Sequence, residues 1–268
     1  MLLFPDNIPA DKLPTVTIII ANYNYGQYVK EAIESAIKQS YPKIIVMIID
    51  DCSTDNSHEV IYGLVSKYEN FSEHEMPDFK MFVSEKDNRD VVYVRLKKHL
   101  NVSNARNYAI ELGLEKTDYY MVLDADDAAY PEKVTELAAA LFVNGNVGVS
   151  YGDYHIFNVE AGTTTPEFKE PYSKNRLMEE CIVHSGAMIR KQALIDTKDQ
   201  FGYYDSNMRT CEDYDLWVRI SEKYMIAHVP KMLTFVRVHK NNSTNVIQRQ
   251  EWERNWHRIA QKTQARNA

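Results

Sequence analysis

Short apolar runs alternate with amphipathic segments through the first half of the chain. Four of these runs are rich in β-branched residues and lack polar alternation, which is typical of parallel strands covered on both faces. They span 15–21, 44–50, 91–96 and 119–123. The segments that follow them have apolar residues at helical spacing, as at Val29, Ile33 and Ile37. This order predicts an α/β fold with an open, mainly parallel sheet, right-handed crossovers and flanking helices.

Single residues indicate where several of these elements should begin. Ser103 or Asn104 could cap the third helix, and Pro131 is placed to open the fourth at a favoured first-turn position. A polar insert, Glu69–Asp90, precedes the third strand, and its segment 80–83 is predicted to pair with that strand as a hairpin. The sequence assigns no role to this insert.

The chain after about Asn144 is less regular. We expect strands over 147–159 with a turn at Gly152–Asp153, a loop over 160–174, a short strand and helix over 186–194, a helix over 211–224 and an extended segment over 225–239. This mixture indicates a second half that is built differently from the repeating strands and helices of the first.

The last stretch of the chain is predicted to be an amphipathic helix. Ile247, Trp252, Trp256 and Ile259 fall near one face, with Arg and Lys residues on the others. Such a helix could dock on its own domain, on a second copy in a homodimer, or on a membrane surface. Docking on its own domain is the simplest of these arrangements.

Composition narrows the class of protein. The chain has 268 residues, 44% of them hydrophobic, which is enough for one large domain or two small ones. Its net charge of −7 argues against a nucleic-acid partner, because nucleic-acid-binding proteins usually present basic surfaces. The three cysteines show no CxxC spacing, and the apolar runs are too short to cross a bilayer. Since residues 1–14 do not resemble a signal peptide, we expect a cytoplasmic protein, either free or peripheral at a membrane surface.

The fourth strand ends in a cluster of acids, Asp124, Asp126 and Asp127. Open α/β sheets bind ligands at the carboxyl ends of their strands, and clustered carboxylates are tolerated where a divalent cation neutralises them. The cluster therefore predicts a Mn²⁺ or Mg²⁺ site that bridges to a diphosphate. A solvated turn with an acid that caps the helix after Pro131 would use the same residues. Asp127 is the member best suited to a purely structural role.

Two other strand ends carry residues that could bind a ligand. Asp51 could accept a hydrogen bond from a base or ribose, or the acids and serines around it could simply cap the helix at Ser57. Tyr23 could offer an aromatic face to a base or pack in the core. Arg106 could contact a phosphate or form an ion pair with Asp50. The residues alone leave each of these alternatives open.

Several of these segments together resemble glycosyltransferase family 2, which has the GT-A fold. They are VTIIIANYN, IIVMIIDDCSTDNS, HLNVSNARNYAI, YYMVLDADD, FGYYDSNMRTCEDYDLWVRI and VRVHKNNST, in this order over roughly Leu13 to Thr244. The resemblance implies a Rossmann-like open mixed, mainly parallel sheet with a smaller acceptor-side subdomain. Residues 1–144 would bind the nucleotide sugar, 145–246 would bind the acceptor and carry catalysis, and 247–268 would form the C-terminal helix.

The resemblance also implies an activity and a set of residues for it. A sugar would pass with inversion from a nucleoside-diphosphate sugar, expected to be a UDP-sugar, to a hydroxyl of a glycan, lipid-linked or protein acceptor. Asp213 matches the family's general base, with Glu212 beside it. Combined with the assignments above, nucleotide-sugar contacts would come from Ala21, Tyr23, Asp51, Arg106 and Asp124. Contacts to Mn²⁺ or Mg²⁺ would come from Asp124, Asp126 and His239.

Some positions depart from the family pattern. Cys52 stands where the family usually has Gly, and His99 and Asn101 replace its usual Asn and Gly. Asn tolerates left-handed backbone conformations, so Asn101 could replace a Gly. Two other classes of protein are alternatives to a glycosyltransferase: a receiver-like, Mg²⁺-binding signalling domain with Asp124 as phosphoacceptor, and an inactive nucleotide-sugar-binding protein. The first leaves the second half of the chain unexplained.

Overall fold

The computed structural model describes residues 8–9 and 12–267, so most of residues 1–14, which do not resemble a signal peptide, lie outside the described residues. The described strands are β1 (Val16–Asn22), β2 (Ile44–Asp50), β3 (Glu69–Glu75), β4 (Phe79–Lys86), β5 (Arg89–Leu96), β6 (Tyr119–Val122), β7 (Ala128–Ala129), β8 (Val147–Asn158), β9 (Thr163–Glu167), β10 (Met188–Arg190) and β11 (Met225–Val238). The described helices are α1 (Val29–Ile37), α2 (Ser57–Val65), α3 (Val102–Gly113), α4 (Lys133–Val143), α5 (Lys174–Glu179), α6 (Lys191–Thr197), α7 (Glu212–Ser221), α8 (Ser243–Val246) and α9 (Arg249–Asn267).

All of these strands belong to one mixed sheet. Its order is β3-β4-β5-β2-β1-β6-β10-β8-β11-β7, with β9 paired to β8. The four strands predicted from the apolar runs, β5, β2, β1 and β6, lie side by side and parallel. Strand β10 is antiparallel to β6 and to β8, and it joins the parallel part to the β8–β11 part. The predicted α/β fold with an open, mixed, mainly parallel sheet is confirmed.

Helices cover both faces of the sheet, which explains the unbroken apolar runs. Every residue of β2 is buried. In β1, Ile18 and Ile20 pack in the core under α1, α2 and α4, whereas Ile19 packs in the core under α3, α6 and α7. Because successive side chains of a strand point to opposite faces, such a strand must be apolar at consecutive positions.

The structure confirms the hairpin in the insert Glu69–Asp90 and adds a strand to it. Strand β4 is antiparallel to β5, and β3 pairs with β4 to form the end of the sheet as described. Strand β3 is largely exposed, which fits the polar sequence of the insert.

The predicted turn at Gly152–Asp153 is wrong, because β8 runs unbroken through both residues. A Cβ added at Gly152 would lie 2.7 Å from Leu233 Cδ1, so the glycine allows β11 to approach closely. The register of β11 against β8 shifts near this point, between Val229 and Met232. Gly152 therefore lies where the pairing of β8 with β11 is irregular. The predicted loop over 160–174 is also partly wrong, since it contains β9.

Two helix starts differ from the prediction. Helix α3 is capped by Asn101, whose side chain accepts a hydrogen bond from the Asn104 backbone N–H at 3.1 Å, so neither Ser103 nor Asn104 is the cap. Helix α4 begins at Lys133, two residues after Pro131. Both differences are local, because the competing residues lie within one turn of each other.

Helix α9 docks on its own domain. Ile259 is buried in the core beneath α7, and the Asn255 side chain donates hydrogen bonds to Thr210. Ile247 does not share this helix, because it is extended between α8 and α9. In the described part of the chain, every helix is too short or too polar to cross a membrane. The homodimer and the division at residues 144 and 246 stay predictions.

Candidate active site

A cleft of about 730 Å³ opens at the carboxyl edge of the parallel strands. The residues after β1, β2 and β6 line one side, and the start of α7 with part of α9 lines the other. The predicted site residues that line it are Ala21, Tyr23, Asp51, Arg106, Asp124, Asp126, Glu212 and Asp213. His239 is not part of this lining, but it contacts Asp126. Residues far apart in sequence therefore meet at one edge of the sheet.

Asp51 is held by the loop that follows β5. Its carboxylate accepts hydrogen bonds from the Leu100 and Asn101 backbone N–H groups at 2.7 and 2.9 Å, and His99 Nδ1 lies 2.9 Å from it. Burial raises the pKa of Asp51, although these hydrogen bonds and His99 oppose the rise. The Tyr23 ring stacks on His99 with 4.1 Å between ring centroids. Tyr23 thus lies in the cleft wall, 39% exposed, and is not a core residue.

Two tight turns in this wall use non-glycine residues in left-handed backbone conformations. Cys52 has φ of 61° and Asn101 has φ of 83°. The expectation that Asn101 could occupy a glycine position is confirmed. After Cys52, Asp55 accepts hydrogen bonds from the backbone N–H groups of Ser57 and Gly26, both at 2.9 Å. Asp55 therefore supports the start of α2, which leaves Asp51 to the cleft.

Arg106 links the two sides of the cleft, because it binds Asp124 after β6 and Glu212 in α7. It is buried, and its guanidinium donates to Asp124 Oδ1 at 2.9 Å and to Glu212 Oε1 at 2.6 Å. Burial would raise the pKa of Asp124, but Arg106 and the Ser185 hydroxyl outweigh it and hold that pKa below its usual range. Asp124 is therefore ionised at neutral pH.

The alternative ion pair between Arg106 and Asp50 is not formed. The Asp50 carboxylate accepts a hydrogen bond from the Asn22 side chain at 2.9 Å and one from the Ser53 hydroxyl. The arginine near it is Arg95, whose Nε lies 3.9 Å from Asp50 Oδ2. Asp50 therefore ties the β1 and β2 loops together.

Asp126 lies in a cradle of neutral donors. Its Oδ2 atom is 3.1 Å from His239 Nε2 and accepts a hydrogen bond from the Asn242 side chain at 2.9 Å. The Asn241 backbone N–H donates to His239 Nδ1, which places the imidazole proton on Nε2, facing Asp126. Burial, followed by the negative charge of Asp124, raises the pKa of Asp126 to about 7. The cradle keeps this carboxylate in place without neutralising it.

Asp127 has the structural environment expected for it. Its carboxylate accepts a hydrogen bond from the Arg237 backbone N–H at 2.9 Å and is buried. Burial, followed by the charge of Asp124, raises its pKa well above the usual value. Lys133 is buried nearby and donates to the Thr234 hydroxyl at 2.8 Å, and burial lowers its pKa to about 8.

Asp213 is the second residue of α7, on the opposite side of the cleft. It is only partly buried, and its carboxylate accepts a hydrogen bond from the Tyr214 backbone N–H at 2.8 Å. Burial, followed by the charge of Glu212, raises the pKa of Asp213 to about 7. Glu212 differs from Asp213 because its own carboxylate is bound to Arg106.

Sequence reasoning missed several residues of this site. Asn242 and Ser185 bind Asp126 and Asp124, and Trp252 and Trp256 line the cleft. Asn242 and Ser243 follow His239 within the segment VRVHKNNST, and the sequence gives neither of them a separate role. The sequence predicts the tryptophans on an apolar helix face, and nothing near them in the chain indicates that this face borders the cleft. Among the described residues, no three His, Cys, Asp or Glu side chains converge as a preformed metal cage.

Comparison with known proteins identifies the family of this chain. A family model described as "Glycosyl transferase family 2" matches residues 17–197. The chain belongs to glycosyltransferase family 2. An uncharacterised glycosyltransferase of Haemophilus influenzae is 27% identical over 91% of this chain and 71% of its own length. A poly-β-1,6-N-acetyl-D-glucosamine synthase of Staphylococcus aureus is 23% identical over 95% of this chain and 57% of its own length. Family and relatives together make the protein a transferase enzyme.

Solved structures share the fold. Staphylococcus aureus TarS 1–349 superposes with a TM-score of 0.63 at 18% identity, and the match covers 83% of this chain and 60% of that chain. Mannosyltransferase PcManGT of Pyrobaculum calidifontis, in complex with GDP-Man and Mn²⁺, gives a TM-score of 0.62 at 16% identity over 88% of this chain and 61% of that one. This chain therefore spans less than two thirds of the TarS chain and of the mannosyltransferase chain, and it shares with them a GT-A type fold.

Proposed function

We propose that this protein transfers a sugar from a nucleoside-diphosphate sugar to an acceptor hydroxyl, with inversion at the anomeric carbon. The observation that carries the proposal is the convergence of Asp51, Asp124, Asp126 and Asp213 on one cleft at the carboxyl edge of the sheet. These acids come from three separate parts of the chain, namely the loop after β2, the segment after β6 and the first turn of α7, and their environments differ. A family 2 chain with this cleft has the parts needed for donor binding and for proton transfer.

The donor is proposed to be a UDP-sugar, bound between the β1 and β2 loops. Tyr23 and Asp51 supply an aromatic ring and a carboxylate at the same end of the cleft. TarS 1–349, which shares the fold, has been solved in complexes with UDP and with UDP-GlcNAc. The neighbouring mannosyltransferase was solved with GDP-Man, so uridine over guanosine is the part of this proposal that needs a direct test.

A divalent cation, Mn²⁺ or Mg²⁺, is proposed to bind at Asp126 and His239, with Asp124 beside them. The donor set fits in kind, because the Asp126 carboxylate oxygen and His239 Nε2 already face each other at 3.1 Å, and burial together with the charge of Asp124 raises the pKa of Asp126. For Nε2 to bind the cation, its proton would move to Nδ1, which would break the hydrogen bond that Nδ1 accepts from the Asn241 backbone N–H. Further ligands would come from diphosphate oxygens and water. Bound there, the cation would supply charge neutralisation for the leaving diphosphate.

Asp213 is proposed to be the general base. The acceptor oxygen forms a bond to the anomeric carbon, the bond from that carbon to the diphosphate breaks, and the nucleoside diphosphate leaves with the electron pair. The acceptor proton passes to Asp213, whose pKa of about 7 suits proton transfer near neutral pH. Glu212 and Arg106 act as positioning residues, because they are bound to each other below Asp213.

Thermal unfolding in the presence of nucleotides tests the donor and cation together. We expect UDP with Mn²⁺ to raise the melting temperature more than UDP alone, and more than GDP with Mn²⁺. Hydrolysis of UDP-sugars without acceptor then separates an enzyme from an inactive binder. A rise in melting temperature with GDP but not with UDP would assign guanine as the nucleobase of the donor. An unchanged melting temperature with every nucleotide would reject the donor site.

A further inference from the structure

Helix α9 supplies an aromatic wall to the cleft, next to the proposed base. Trp252 and Trp256 line the same cavity as Asp213 and Tyr214. Trp256 lies one helical turn after Trp252, so both indoles can face the cleft. Trp256 is 40% exposed, an unusual state for an indole in a helix that docks on the domain.

Tyr214 supports Trp256 from behind. The ring centroids lie 5.0 Å apart with a tilt of 43° between the planes, and Tyr214 itself is buried. The Tyr214 hydroxyl donates to the Leu177 carbonyl at 2.7 Å, which fixes its ring. The Trp256 ring is therefore backed on one side and exposed on another, immediately beyond Asp213.

Buried contacts hold this wall in place. Asn255, a buried residue between Trp252 and Trp256 in the sequence, donates to the Thr210 carbonyl and hydroxyl at 3.0 and 2.8 Å. The Lys262 amine lies 3.2, 3.0 and 2.9 Å from carboxylates of Asp199, Asp205 and Asp215. An ordered wall binds a ligand at lower entropic cost than a mobile one.

The chemistry of this part of the cleft fits a sugar ring. A pyranose presents a C–H face that packs on an aromatic ring and hydroxyl groups that need hydrogen-bond partners. The wall offers indoles for the first, while Asp213 and Arg209 in the same lining offer polar groups for the second. A lipid chain would use the indoles but would leave these polar groups without partners.

We propose that Trp252 and Trp256 form the acceptor platform and that the acceptor is a pyranose unit of a glycan, stacked so that one hydroxyl reaches Asp213. This inference rests on the proposed function and names the class of its acceptor. The sequence left open whether the C-terminal helix docks on its own domain, on a second copy or on a membrane. With the helix docked on its own domain, the proposal gives it a role in acceptor binding.

The test measures binding of methyl pyranosides of glucose, galactose, mannose and N-acetylglucosamine to the full chain with UDP and Mn²⁺. Saturation-transfer NMR and tryptophan fluorescence report the binding. We expect at least one pyranoside to bind saturably and Trp256→Ala to weaken it by roughly tenfold or more, as for a central aromatic contact. Trp256→Phe should recover part of the affinity. His257→Ala, exposed on the same helix and outside the cleft lining, is the matched control.

The variants are also assayed for UDP binding and for UDP-sugar hydrolysis, which do not need the platform. If the wild type binds UDP but no pyranoside, or if Trp256→Ala binds pyranosides like the wild type, the platform is rejected and the donor site stands. Saturable binding of a polyprenyl phosphate with no pyranoside binding would also reject it, in favour of a lipid acceptor. If the wild type neither binds nor hydrolyses any nucleotide sugar, it is the proposed function that fails.

Discussion

Asp126 and Asp213 face the same cleft and share a pKa of about 7, but their surroundings differ. Asp126 is fixed by hydrogen bonds to His239 and Asn242, and its pKa is raised by burial and then by Asp124. Asp213 is partly exposed and is raised by burial and then by Glu212. A carboxylate held in place, like that of Asp126, suits a cation. A carboxylate with an oxygen free of hydrogen bonds to the described residues, like that of Asp213 beside the aromatic wall of α9, suits proton transfer. The same titration behaviour can therefore serve two roles.

Replacing the base should have the largest effect. Asp213→Asn removes the proton acceptor but keeps the side chain's size, so we expect transfer to fall by about 10²–10⁴-fold. UDP binding with Mn²⁺ should be unchanged, because the proposed nucleotide site lies on the other side of the cleft. Asp78→Asn, which changes an exposed acid outside the cleft lining in the same way, is the control. Transfer by Asp213→Asn at the wild-type rate would assign the base elsewhere.

Replacing the proposed cation ligand should come next. Asp126→Asn keeps an acceptor for His239 and Asn242 but loses the charge, so the Mn²⁺-dependent part of the UDP thermal shift should disappear. Transfer should fall by at least about a hundredfold. Asp127→Asn is the matched control, since Asp127 binds the Arg237 backbone and should leave the Mn²⁺ response intact. Equal losses in both variants would contradict the division of roles within the acidic cluster.

Weakening the contacts of Lys262, which hold α9 and its aromatic wall in place, should lower the free energy of unfolding. Lys262→Met leaves the buried Asp205 and Asp215 with Arg258 and Arg219 as their remaining cations. We expect a loss of roughly 2–3 kcal/mol in the free energy of unfolding, less than for a buried pair that loses its sole partner. Urea unfolding measures it.

The control for Lys262→Met is Lys30→Met. It breaks an exposed pair with Glu34 at 3.9 Å, which should cost less than about 1 kcal/mol. If both lysine variants unfold alike, Lys262 does not hold α9 in place.

The pH dependence of transfer should show the smallest effect. It gives the most direct test of the difference between Asp126 and Asp213. A base must be ionised, and the ionised fraction of Asp213 falls as pH drops through about 7, so transfer should decline below that pH. Burial is the main cause of the raised pKa of Asp213 and the charge of Glu212 is the second, so Glu212→Gln should move the acidic limb to lower pH. A pH–rate profile measures both. An acidic limb that stays in place would mean that another group controls it.

Much of the donor side could be predicted from the sequence. The apolar runs specify buried strands because a strand covered on both faces must be apolar at consecutive positions. Parallel strands end at the same edge, so Asp51 and Asp124 could be placed near each other before any contact was known. The resemblance to family 2 motifs added the proposed role of Asp213. The residues beside Asp213 in the sequence do not distinguish it from any other acid at the start of a helix.

Tertiary structure decided which partners these residues have. Arg106 binds Glu212, 106 positions away, and Asp126 binds His239 and Asn242, 113 and 116 positions away. Trp256 reaches the cleft because Lys262 and Asn255 hold α9 against α7 and its preceding loop. Local side-chain patterns determine where strands and helices form. The pairing of distant polar groups depends on how the whole chain closes, because each buried charge takes whichever partner the packed elements bring within reach.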